Sequence, residues 1–249
     1  MDVKDKKVIV TGGASGIGRC LAEKLANEKA VVGVFDINKA ALSKLEKAIP
    51  NIYCRVCDVS DPGQVEEAVD DFYTRFGVID ILVNNAGIIH NALLVNIKKD
   101  ASVRHDIDMW DKVIATNLSS VFYVTTHIVR KMLMKRTKGV IINVSSISAA
   151  GNLGQSAYSA AKAGVSALTV TWAKELSLFG VRVAGIAPGF TKTGATIQSM
   201  TEDVLDDWIS KTPLRRLANP EEIADGILFI IRNDFLSGRV LELDGGLRI

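Results

Sequence analysis

The chain has 249 residues, 48% hydrophobic and 23% charged, with 30 Lys+Arg against 28 Asp+Glu for a net charge of +2. That length can bury a sizeable core, and the near-balance of charge gives no electrostatic case for nucleic acid or an acidic membrane as partner. No run of 18 or more apolar residues and no signal-like segment stands out, and three cysteines make no disulfide framework, so a cytoplasmic protein is expected.

In chain order, an apolar run at 7–10 leads into Thr11-Gly12-Gly13-Ala14-Ser15-Gly16-Ile17-Gly18 and then a helical pattern at 18–27. Glycines at 12, 16 and 18 let the backbone turn tightly, approach a pyrophosphate and pack the helix on the sheet. The positive helix end then faces the phosphates. A strand before and a helix after supply the context such a turn needs. The next strand, 31–35, ends at Asp36, 18 residues beyond Gly18. An acid there accepts hydrogen bonds from the adenosine ribose hydroxyls and repels a 2′-phosphate. No Arg or Lys lies inside the turn before Gly16, which favours NAD over NADP. A helix N-cap is the structural alternative for Asp36.

A helical pattern at 39–48 and a strand at 52–57 follow. Cys54 and Cys57 fall in that strand on opposite faces, which suits packed, reduced thiols better than a redox pair. Helix 64–76 and strand 81–83 come next, then Asn84-Asn85-Ala86-Gly87. The charged stretch 98–106, flanked by His90 and His105, reads as a solvated insertion. No Cys/His/acid cluster has ligand spacing, so no metal site is expected. A long helix, 109–135, precedes strand 140–144 and the pair Ser145-Ser146. Helix 156–179 then places Tyr158 and Lys162 four residues apart on one face. A phenol has an ordinary pKa of about 10. A neighbouring ammonium favours its ionised form and equips it for proton exchange, although the spacing alone more often marks an exposed pair on an amphipathic helix. Strand 181–186, Pro188-Gly189 and a late edge strand at 238–243 complete the order. The alternation predicts an α/β chain: one domain, 1–249, with a doubly wound Rossmann fold and a mostly parallel sheet of about seven strands flanked by helices.

The ordered set of T-G-x-x-x-G-x-G at 11–18, Asp58-Val59, Asn84-Asn85-Ala86-Gly87, Asn117, Tyr158-x-x-x-Lys162 and Pro188-Gly189 with Thr193 resembles the short-chain dehydrogenase/reductase family from end to end. The resemblance implies hydride transfer between a secondary alcohol and a ketone, with Tyr158 as general acid/base. Lys162 would lower its pKa and hold the nicotinamide ribose, Asn117 would hold a water leading to solvent, and a serine would hold the substrate oxygen. Strand register selects Ser146, whereas counting back from the tyrosine lands on Ser145. Ser146 is preferred because loops absorb deletions. The implied cofactor contacts are Gly12, Ser15, Gly16, Ile17, Gly18, Asp36, Ile37, Asp58, Val59, Asn85, Ala86, Gly87, Pro188, Gly189, Thr191 and Thr193, with Tyr158 and Lys162. The resemblance places the substrate pocket between the loop 148–156 and the segment 190–212, where Ile197, Met200, Leu205, Trp208 and Ile209 offer an apolar wall or, equally, core packing at helical spacing. The expected partners are a small alcohol or carbonyl substrate and further copies of the chain, as a homodimer or homotetramer. An NADPH-dependent 3-oxoacyl-thioester reductase is the alternative enzyme. A cofactor-sensing binding protein is the non-enzyme alternative, although it has no need of a Ser–Tyr–Lys–Asn relay.

Overall fold

Among the residues described by the computed structural model, 1–50, 52–96 and 103–249, seven strands form one sheet. They are β1 (Lys7–Thr11), β2 (Val31–Asp36), β3 (Tyr53–Val56), β4 (Ile81–Asn84), β5 (Gly139–Val144), β6 (Val181–Pro188) and β7 (Val240–Leu243). Their order is β3-β2-β1-β4-β5-β6-β7, with every pairing parallel. The central strands are apolar on both faces because helices cover both. Alternation along β1 sends Val8 and Val10 to one core and Ile9 to the other. The first core is closed by α1 (Gly16–Asn27), α2 (Lys39–Ala48) and α9 (Pro220–Arg232). The second is closed by α3 (Pro62–Phe76), α5 (Ser120–Met134) and α6 (Ser156–Leu176). Cys54 packs against the first core and Cys57 lies in the second, so the two thiols are separated by the sheet.

Local chemistry moves some boundaries from where periodicity alone puts them. Helix α3 starts two residues early because Asp61 accepts from Gly63 N and Gln64 N and Pro62 occupies the first turn. The expected long helix is composite. Asp106 caps α4 (Ile107–Ile114), which passes through a π-helical turn, Ala115–Ser119, into α5. That turn carries the fully buried Asn117. A single wide turn inside a longer helical run shifts the apolar pattern without interrupting it, so the segment reads as one continuous helix.

The charged insertion falls partly on residues 97–102, outside those described. Its flanks run antiparallel: Val95 bridges Arg104, and Asn96 N donates to Val103 O at 2.8 Å. Among the described residues no helix is long and apolar enough to cross a membrane. The chain winds outward from β1 to β3 and then from β4 to β7, so strand order reverses between β1 and β4. That reversal opens a crevice at the carboxyl ends of the strands, where ligands of such sheets bind.

Candidate active site

A cleft of about 600 Å³ occupies this crevice. Gly12, Ser15, Gly16 and Ile17 of the first turn line it, with Asp36 and Ile37 after β2, Asp58 and Val59 after β3, Asn85 to Gly87 after β4, and Thr193. Gly12 has φ +62°, and a Cβ there would lie 2.7 Å from Ala86 Cα. A Cβ at Gly18 would lie 2.4 Å from Gly12 O, so this glycine packs the helix against the turn and does not line the cleft. Ser15 makes no side-chain cap to α1, which leaves first-turn N–H groups for an anionic oxygen. Asp36 Oδ2 accepts from Ala14 N at 3.0 Å and Oδ1 from Asn38 N at 2.9 Å, fastening the carboxylate to the glycine turn. The N-cap of α2 is Asn38, which accepts from Ala41 N. This cradle, with an acid at its ribose end, fits a nicotinamide dinucleotide.

A second cavity of about 150 Å³ continues from the cleft, sharing Ile17, Asn85, Gly87 and Thr193 with it. Ser146, Tyr158 and Lys162 converge on it, and Pro188, Gly189 and Thr191 line its far side. Thr193 caps α7 (Gly194–Gln198) by accepting from Thr196 N. Ser146 Oγ accepts from Ser148 N at 3.1 Å, so its own proton remains to donate. Ser145 is different: its buried hydroxyl turns to α6, 3.0 Å from Lys162 O. Both serines line the cavity, and the hydroxyl that neighbours the phenol is that of Ser146.

Lys162 Nζ donates to Val144 O at 2.8 Å and stands 5.7 Å from the centre of the Tyr158 ring. Burial pushes the lysine down to about 8. Burial also holds the Tyr158 phenol above its ordinary value, and the neighbouring Ser146 hydroxyl draws it part of the way back. The net direction is opposite to the one expected from the lysine alone. Desolvation disfavours both charged forms, and the ammonium is already directed at a carbonyl. Asn117 bridges Ile88 with both ends of its amide, accepting from Ile88 N and donating to Ile88 O, each at 2.8 Å. A Cβ at Gly87 would lie 3.4 Å from Asn117 Oδ1 and 3.7 Å from Lys162 Nζ, so both groups border the same small space. One lone pair on Oδ1 and one N–H on Nδ2 remain there for a water.

Of the five side chains expected as an apolar wall, Met200 lines the cavity. Ile197 is exposed, and Trp208 of α8 (Glu202–Lys211) instead stacks on Phe190, which does line it, with ring centres 4.6 Å apart. Sequence reasoning placed the loop 148–156 at the pocket but did not single out its buried Gln155, which lines the cavity wall. It donates to Asn91 Oδ1 at 2.9 Å, while Asn91 Nδ2 donates to Ser199 O at 3.2 Å. It also missed a ladder through the sheet. Asn84 Nδ2 donates to Thr125 Oγ1 and Asn143 Oδ1, and Asn143 Nδ2 donates to Thr169 Oγ1, all at 2.9 Å. An asparagine inside the apolar run of β5 was the available signal for the ladder.

The chain is similar to known proteins over nearly its whole length. A family model described as enoyl-(acyl carrier protein) reductase matches residues 12–248. The 3-oxoacyl-(acyl-carrier-protein) reductase of Thermotoga maritima is 40% identical over 256 aligned positions spanning the whole of both chains. The enzyme of the same name from Chlamydia trachomatis is 36% identical over 98% of this chain and 97% of its own. That from Escherichia coli is 33% identical over 99% of each.

Proposed function

The chain belongs to the short-chain dehydrogenase/reductase family, and on that premise we propose that Tyr158 is the general acid/base in its interconversion of a ketone and a secondary alcohol with a nicotinamide cofactor. The observation that carries this reading is the convergence of Ser146, Tyr158 and Lys162 on one small cavity opening from the dinucleotide cleft. The nicotinamide, when bound, supplies or accepts the hydride. In reduction, Ser146 donates its free proton to the substrate carbonyl oxygen and fixes its position. Tyr158, kept protonated by burial, gives its proton to that oxygen as negative charge develops on it. The Lys162 ammonium stabilises the phenolate left behind, and a water between Lys162 and Asn117 returns the proton. In oxidation the same groups run backwards, with the phenolate taking the hydroxyl proton. We read the chain as one dinucleotide-binding domain, and Phe122, Val170 and Phe179, exposed near α5 and α6, support self-association as a homodimer or homotetramer.

For the cofactor we favour NAD(H). Asp36 is held in place by two backbone amides, and its remaining lone pairs suit two ribose hydroxyls, whereas a 2′-phosphate would face a fixed like charge. For the substrate, the names of the full-length relatives support a second, narrower reading, a 3-oxoacyl thioester. Fluorescence titration with NADH and NADPH tests the first point, with NADH expected to bind more tightly. A clear preference for NADPH would sink it. Assaying an acetoacetyl thioester beside simple ketones, sugars and steroids tests the second. The narrower reading fails if another class is turned over faster.

A further inference from the structure

We propose that Ser145, together with Ser166, is a positioning residue that locks the Lys162 turn of α6 onto the end of β5 and thereby sets the spacing of Ser146, Tyr158 and Lys162. The inference rests on the reading of Tyr158 and Lys162 given above. Ser145 is 2% exposed, and its Oγ stands 3.0 Å from Lys162 O and 2.8 Å from Ser166 Oγ. Ser166 Oγ lies 3.0 Å from the same carbonyl. Two hydroxyls and one carbonyl thus form a triangle, buried at Ser145 and partly buried at Ser166, in which every polar atom has a partner.

The same end of β5 holds the lysine by its other end, because Val144 O accepts from Lys162 Nζ at 2.8 Å. Main chain and side chain of Lys162 are therefore gripped by successive residues. Ser146, the next residue along, stands beside Tyr158 one helical turn before Lys162. Three consecutive residues of the strand end meet three points on one stretch of helix, and Ser145 is the middle one. Its own amide donates to Ile186 O at 2.7 Å and fixes the strand end to β6. Helix α6 thus cannot shift along the sheet without breaking the triangle. The hydroxyl of Ser145 does not enter the chemistry; it sets where the chemistry's groups stand.

Ser145→Ala deletes one oxygen and leaves the apolar packing in place. Turnover is expected to fall roughly tenfold to a hundredfold, the scale of a small misplacement of reacting groups. KM for the carbonyl substrate and the thermal midpoint should stay near their original values, and Ser145→Thr, which keeps the hydroxyl, should recover most of the rate. Wild-type kcat in Ser145→Ala, or a threonine variant no better than alanine, would overturn the clasp. If Ser145→Ala does not fold, Ser166→Ala removes the other hydroxyl and should show the same split between kcat and KM. Full activity in that variant overturns the proposal equally. Tyr158→Phe separates the layers. An inactive Tyr158→Phe with a fully active Ser145→Ala removes only the clasp. A fully active Tyr158→Phe, or a wild type without turnover, removes the reading beneath it.

Discussion

Tyr158 and Lys162 share a helical face, yet each is shaped more by burial than by the other. The phenol is held above its ordinary value, and the lysine is pushed down to about 8. At neutral pH the phenol is therefore an acid with its proton in place, beside an ammonium that can balance the charge it leaves. Charge on this pair is costly before reaction and becomes useful only as the substrate oxygen turns negative, which is the direction catalysis needs. Tyr158→Phe removes one hydroxyl and no packing surface. We expect it to lower turnover by roughly a hundredfold or more, the usual scale for losing a general acid, while binding of NADH changes little. Parallel rate and fluorescence measurements check this, and turnover equal to wild type would take Tyr158 out of the mechanism.

At the scale of elements, what could be read in advance and what could not divide along physical lines. Apolar runs gave the strands because β1, β4 and β5 are covered on both faces. The glycine turn was legible because Gly12 sits at positive φ and Gly18 lies against a backbone oxygen, demands that only glycine meets. Ser146 was preferred over Ser145 from strand register, a local property. The π turn around Asn117, the bridge from Gln155 through Asn91 to Ser199, and the partners of Asn84 were not legible. The last two depend on which distant segments approach, which no local pattern encodes, and the first is one wide turn inside an unbroken helical run. The ladder through β4 and β5 has an energetic consequence of its own. Asn143→Ala removes the acceptor of an Asn84 N–H and the donor to Thr169 in a dry interior. Groups left unpaired there, with the cavity, should cost about 2–4 kcal/mol. Chemical denaturation measures this, and a loss below about 1 kcal/mol would show that the ladder relaxes onto other partners.

For the whole molecule, the buried lysine is a burden on folding. Its folded value of about 8 lies below the ordinary 10.5, so between those values the unfolded chain binds more protons than the folded one. Stability from this group is fully present above 10.5 and is lost as pH falls through about 8. The size of the loss is on the order of 3 kcal/mol. Other groups act in the opposite sense. Burial pushes Cys54 and Cys57 up to about 11, so their contribution is lost as pH rises from 9.0 through that value. Tyr158 behaves alike, and the raw pH profile is therefore a mixture. Comparing Tyr158→Phe with Tyr158→Phe/Lys162→Met isolates the lysine, because the thiols are common to both chains and the phenol is absent from both. The double variant should be the more stable at pH 7, by roughly 3 kcal/mol less any loss of packing, with the gap closing as pH rises from about 8 to 10.5. Denaturation midpoints across that range provide the test, and a difference that does not change with pH would mean that the ammonium is stabilised in place. If the gap closes as expected, the fold gives up part of its stability to keep a cation beside Tyr158, a trade that suits a functional site.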